Sequence, residues 1–114
     1  MVPGEIYKAK LKSGKLVPVI VISRSDLNLG DSSLCVMTTT YRFDIRKDLA
    51  NCVPLFNGKF GIAEDCVAQC NNILSIDHAD LDTSNGPIGM LDRKTHRKII
   101  KAVGFALIAD CVPE

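Results

Sequence analysis

The chain contains no tryptophan, and aromatic residues make up only 5% of its 114 positions. No apolar run is long. The longest, from 102 to 109, is bounded by Lys101 and Asp110. A membrane helix needs about 20 such residues, so no spanning helix is expected. The N-terminal stretch MVPGEIYKAKLKSGK is charged and lacks the apolar core of a signal peptide. No Gly-rich phosphate-binding loop is present, so no nucleotide cofactor is expected. The five cysteines lack paired CxxC spacing: Cys66 and Cys70 are four apart, and Cys35, Cys52 and Cys111 are scattered. They read as small buried hydrophobes of a reduced, cytoplasmic protein, with no metal site. His78 and His96 lack a ligand partner at helical spacing and read as surface residues. Net charge is nearly absent too: 14 Lys+Arg against 13 Asp+Glu give +1, which argues against a polyanionic partner.

What is present is a globular composition, 46% hydrophobic, in a chain sized for one domain over residues 1–114. The charge is unevenly placed. Residues 1–60 carry +4, residues 61–91 carry −5 with no Lys or Arg, and residues 92–114 carry +2. The two signs either face different partners or neutralise one another in the fold.

Hydrophobic periodicity predicts a mainly β chain. Glu5–Lys12 alternates, with Tyr7, Ala9 and Leu11 on one face and Ile6, Lys8, Lys10 and Lys12 on a wet one. Leu16–Ile22 is a β-branched run too short for most helices, and Pro18, lacking an N–H, belongs near its start or on an edge. Ser33–Thr40 and Asn51–Phe56 are further strands, and Asn57-Gly58 is a hairpin signal. Cys66–Ile76 is a strand bent around Asn71-Asn72. Arg24–Ser33, Tyr41–Leu49 and Asp77–Gly89 read as loops. Asp92 caps an amphipathic helix to Ala109, its apolar face formed by Ile99, Ile100, Val103, Ala106 and Leu107. Short strands with turns about every 8–12 residues describe a small barrel or sandwich closed by a helix.

The segment Thr38-Thr39-Thr40-Tyr41-Arg42-Phe43, followed by Arg46-Lys47, concentrates chemistry. Hydroxyls and guanidinium groups suit phosphate, and Tyr41 and Phe43 can stack on unpaired bases. A strand end running into a charged loop has the same composition.

Pro3-Gly4-Glu5-Ile6-Tyr7, then Pro18-Val19-Ile20-Val21-Ile22-Ser23, then Val36-Met37-Thr38-Thr39 resemble the MazF/PemK/Kid toxins. Asn71–Asp77 is similar to their DQLRTVD strand, and Asp80-Leu81 followed by Pro87–Leu91 to their run into the C-terminal helix. The resemblance covers nearly the whole chain in order. It implies an SH3-like small barrel with a C-terminal helix, a homodimer, and the toxin of a type II toxin–antitoxin pair. It also implies metal-independent, sequence-specific cleavage of single-stranded RNA. There the 2′-hydroxyl attacks the adjacent phosphate, and the antitoxin covers the RNA groove with a disordered segment.

Carried over by position, the family Thr falls on Thr38, with Thr39 beside it. The family's catalytic Arg stands before the strand proline, where this chain has Val17. Lys15, on the same strand face as Val17, is the replacement cation, acting as a point charge rather than a bidentate fork. Arg24 and Arg42 are the other candidates. The family's later carboxylate and guanidinium positions read Asn71 and Leu74. The expected catalytic set is therefore Thr38, Thr39 and Lys15. The expected RNA contacts are Arg24, Tyr41, Arg42, Phe43 and Arg46. Three readings follow: an endoribonuclease with a relocated cation, a non-cleaving toxin of the same fold such as a CcdB-like gyrase inhibitor, and an unrelated interaction barrel.

Overall fold

The structure is a computed structural model that describes residues 1–108. Its strands are β1 (Glu5–Lys10), β2 (Leu16–Val21), β3 (Ser32–Thr39), β4 (Cys52–Leu55), β5 (Cys66–Asp77), β6 (Leu81–Asp82) and β7 (Gly89–Met90). Its helices are the single turn α1 (Phe43–Arg46) and α2 (Arg93–Ile108). The strands form one antiparallel sheet in the order β4-β5-β3-β2-β1-β6, with β7 also on β1. The mainly β architecture with a C-terminal helix is the one expected.

Both faces of the sheet are covered, which explains the unbroken apolar run in β2. Val19, Ile20 and Val21 are all fully buried, as in strands packed on two sides. One face gathers Ile6, Ile20, Val36, Val53, Leu55 and Ala68 beneath Ile99 and Ala102 of α2. The other gathers Tyr7, Ala9, Val19, Val21, Cys35, Met37 and Leu81. Ile6 is therefore core rather than wet, because β7 and α2 close over the start of β1. The exposed face of β1 begins only at Lys8.

β5 is the longest strand, and its pairing with β3 slips. Val36 faces Ile73 but Met37 faces Gln69, leaving Cys70, Asn71 and Asn72 without partners on β3. This is the bend expected at Asn71-Asn72, and such bulges re-aim side chains.

Several segments differ from expectation. Phe43–Arg46 is a helical turn within the presumed loop. Asp77–Gly89 holds a 3₁₀ turn (His78–Asp80) and β6. These pieces are too short for a periodic signal. Asn57-Gly58 makes a turn, with Gly58 N–H donating to the Ile62 carbonyl at 2.9 Å, but inside a long β4–β5 connection rather than a two-residue hairpin. On α2 the packed side is Ile99, Ala102 and Val103, while Ile100 and Leu107 are exposed, the buried stripe being rotated from the expected one. The expected helix end at Ala109 and Cys111 lie outside the described residues. Among those described, no helix is long and apolar enough to cross a membrane.

Two glycines let the β4–β5 connection cross the start of β7. A Cβ on Gly61, at φ +79°, would collide with the Ile88 carbonyl, and one on Gly89 with that of Phe60. Both obstacles are backbone. Gly89→Ala should destabilise by about 3 kcal/mol in urea unfolding. Wild-type stability would mean the two segments separate without loss.

The Asp92 carboxylate accepts the Thr95 N–H at 2.7 Å and caps α2. Hydrogen bonds from Thr95 hold this carboxyl below its ordinary value of 3.8. A lowered pKa stabilises above the unfolded value and is lost as pH falls through the folded one. Asp92→Ala should lower Tm at neutral pH, and the difference should narrow as pH is taken below 3.8. A difference that is constant with pH would assign the effect to something other than the charged cap.

Candidate functional site

Pro18 determines where the sheet opens. Within a strand, one residue's N–H and C=O point to the same neighbour. The Pro18 carbonyl accepts the Thr38 hydroxyl at 2.7 Å, so the N–H that proline lacks would also have faced β3. The β2–β3 ladder accordingly runs Val21–Cys35, Ile20–Val36 and Val19–Met37, and stops. Beyond that point β3 stays with β5, pairing Thr38 to Ala68 and Thr39 to Val67. The β1–β2 hairpin continues separately to its tip, where Leu11 N–H donates to the Lys15 carbonyl at 2.9 Å. The two arms part beyond the Thr38–Pro18 link, with exposed Lys15 on one and Thr39 through Arg46 on the other.

The two threonines have different positions. Thr38 is 7% exposed, its hydroxyl committed to Pro18 and also bonded to the Cys66 thiol. Thr39, one residue on, points to the opposite face and is half-exposed, its Oγ1 accepting the Tyr41 N–H at 3.1 Å. By the same alternation Lys15 and Thr39 belong to one face and Thr38 to the other.

Past Thr39 the chain turns sharply. Arg42 adopts the left-handed conformation (φ 54°, ψ 41°), uncommon for a non-glycine residue, and starts α1. The turn returns both guanidinium groups to one ring. The Arg42 and Arg46 Cζ atoms lie 5.4 and 5.5 Å from the Tyr41 centroid, and Arg42 Nε donates to the Tyr41 hydroxyl at 3.2 Å. Tyr41 itself is 61% exposed. Phe43 is braced edge-on by Phe56, 5.9 Å away at 81°, with Lys47 Nζ 5.9 Å from its ring. Phe56 gave no sequence signal, because its role depends on where α1 packs.

The structure thus gathers Thr39, Tyr41, Arg42, Phe43 and Arg46, sets Lys15 on the facing arm and buries Thr38 at the junction. Arg24 is not part of this set. It leaves from the opposite end of β2 and pairs with Asp26 at 3.2 Å, both well exposed.

The cysteines are inert. Cys35, Cys52, Cys66 and Cys70 are buried and free. Burial pushes the Cys35 and Cys66 thiols up to about 11 and Cys70 to about 12, so they stay neutral and poorly nucleophilic. Neither histidine is a plain surface group. His78 Nε2 lies 2.7 Å from the buried Ser33 hydroxyl, and His96 packs its ring over Gly4.

A mainly β domain with a C-terminal helix, carrying clustered arginines around an exposed ring at a split in its sheet, is a candidate nucleic-acid-binding fold. Residues 3–107 match the family model of PemK-like, MazF-like toxins of type II toxin–antitoxin systems. The chain belongs to that family. It is similar to the Mycobacterium tuberculosis toxin MazF-mt6 at 25% identity and TM-score 0.74, over 93% of this chain and 98% of that one. It shares the fold of an endoribonuclease solved with its cognate antitoxin from a mycobacterial species (19% identity, TM-score 0.77, 99% of each chain). It also shares the fold of a MazE–MazF structure from Deinococcus radiodurans (14%, TM-score 0.73, 95% of each). No curated protein matches the sequence.

Removing the Thr38 hydroxyl leaves the Pro18 carbonyl without its partner. Thr38→Val should therefore cost about 1–3 kcal/mol in chemical denaturation, whereas Thr39→Val should be near neutral. Equal effects at the two positions would contradict the junction role of Thr38.

Proposed function

We propose that this MazF-family toxin is a metal-independent endoribonuclease that cleaves single-stranded RNA in the split between the hairpin tip and the Thr39–Arg46 arm. The observation that carries this reading is the cluster of Arg42 and Arg46 about exposed Tyr41, facing Lys15 across the opening. In the reaction the 2′-oxygen bonds to the adjacent phosphorus and the bond from phosphorus to the 5′-oxygen breaks. The 2′-hydroxyl proton is given up and the departing 5′-oxygen gains one, leaving a cyclic phosphate and a 5′-hydroxyl. Negative charge accumulates on the phosphorane oxygens. Arg42 and Arg46 meet it with planar forks, and Lys15 meets it as a point charge from the other arm.

Thr39 keeps its O–H free to donate to a phosphate oxygen, since its Oγ1 serves the Tyr41 N–H as acceptor. The Tyr41 ring supplies a stacking surface for an unpaired base, and Phe43 lines the same arm. Thr38 acts as a positioning residue through Pro18. Arg24, at the far end of β2, is outside the cleavage set and is available only to RNA extending past it.

The biological unit we propose is a cytoplasmic homodimer held in check by a cognate antitoxin. The mycobacterial and Deinococcus structures are toxin–antitoxin complexes, which supports such a partner here.

Incubating the purified protein with long single-stranded RNA in EDTA should give discrete fragments with 5′-hydroxyl ends. Lys15→Ala and Arg42→Ala should each slow cleavage about 10²–10³-fold while leaving the melting temperature unchanged. Loss on Arg42→Ala alone would remove Lys15 from the mechanism. Intact RNA with growth arrest on expression would favour the non-cleaving, gyrase-inhibitor type of toxin.

A further inference from the structure

The slip in β5 has a second consequence beside the guanidinium cluster. It turns out a group of neutral amides. Asn51 Nδ2 donates to Asn71 Oδ1 at 2.8 Å, and Asn72 Nδ2 donates to Gln69 Oε1 at 3.1 Å. Asn71 and Asn72 are exposed, and Asn51 and Gln69 half-exposed. The two residues of the bulge, unpaired on β3, are free to turn their side chains outward.

This patch adjoins the proposed RNA arm. α1 packs against β5. The Arg46 charge acts on the Cys52 thiol, and Cys52 follows Asn51 and pairs directly across from Gln69. Gln69 in turn faces Met37, two residues before Thr39.

The chemistry of the two neighbouring groups is complementary. Guanidinium forks bind phosphates and an exposed ring stacks on any base, so neither distinguishes sequence well. A side-chain amide presents a donor beside an acceptor and carries no charge, so it gains little from phosphate and matches a base edge. The two amide–amide bonds fix the orientation of each pair and use only part of its capacity. Asn51 Oδ1, the Asn71 amino group, Asn72 Oδ1 and the Gln69 amino group are available to a ligand.

We infer that the amide cluster Asn51, Gln69, Asn71 and Asn72 is a base-reading site that selects an adenine next to the nucleotide stacked on Tyr41. Adenine is assigned because its adjacent N6 donor and N7 acceptor take an Asn or Gln amide bidentately. The inference rests on the endoribonuclease reading and adds the source of its sequence preference.

The test is the cleavage-site profile of a randomised single-stranded RNA pool for the wild type, Asn71→Asp and Asn72→Asp. Both substitutions keep side-chain shape, remove the amide donors and lie at exposed positions, so either serves if the other fails to fold. The wild type should show adenine at one fixed position relative to the cut. The variants should lose that preference about tenfold or more, the discrimination of a single bidentate amide–base contact, while preferences at other positions persist. A wild-type profile that holds adenine at no position, or variant profiles identical to the wild type, would overturn the assignment. Failure of the wild type to cut any RNA would overturn the endoribonuclease reading itself, a result distinguishable from a wild type that cuts with a preference the amides do not alter.

Discussion

The hydrogen bond from the Thr38 hydroxyl to the Pro18 carbonyl is the point on which the functional end of the molecule depends. It is the last link between two strands that are paired up to Val19 and Met37 and separate afterwards. A sheet strand with a free edge normally continues its ladder. Proline prevents this by removing the N–H, and the threonine hydroxyl satisfies the carbonyl left behind. One arm then becomes a β1–β2 hairpin ending in cations, and the other a strand supported only by β5. The arm bearing Tyr41, Arg42 and Arg46 is placed by that support, and the slip in the same β3–β5 ladder turns the amides outward beside it.

The same bond accounts for the two adjacent threonines having separate duties. Strand alternation sends Thr38 to the face that packs beneath α2 and Thr39 to the other. Thr38 is sealed between Pro18 and Cys66, so its oxygen is committed to structure. Thr39 carries its hydroxyl to the half-exposed side, where the chain leaves the sheet. A sequence reading that treats Thr-Thr as one functional unit merges a positioning group with a group that can meet substrate.

Much of this was legible beforehand, in proportion to how local the cause is. The alternation of β1, the β-branched run of β2 and the capped helix after Asp92 are all properties of neighbouring residues. The position of Pro18 at the start of its strand and the bend at Asn71-Asn72 were also visible for that reason. The misreadings are non-local. Ile6 reads as wet within its strand and is buried because β7, over eighty residues later, covers it. Ile100 and Leu107 fit an apolar helical stripe, but the stripe that packs is set by where β4 and β5 lie. Arg24 and Arg42 are equivalent as sequence candidates, and register alone separates them, placing one at each end of the sheet. The Asn51–Asn71 bond joins residues twenty apart and depends on a slip that no single-strand pattern encodes.

The uneven charge takes its meaning from the same register. Asp77, Asp80 and Asp82 of the acidic stretch lie with the start of β3 or along β1, since Asp77 pairs with Ser32 and Asp82 with Lys8. They sit away from Thr39. Glu64 and Asp65 precede β5 near the opposite end, and both push the Cys66 thiol up. The cations of the RNA arm therefore work beside two carboxylates and not within a broad basic field. Long-range attraction of a polyanion is weak under these conditions, because fields from mixed charges cancel within a Debye length of about 8–10 Å. Binding must instead come from close contacts: forks on phosphate, a ring under a base and neutral amides on a base edge. Such contacts depend less on net charge than on geometry. A near-neutral chain that selects its substrate by shape and hydrogen bonding releases few counterions on binding, so its affinity for RNA falls less steeply with salt than that of a uniformly basic protein.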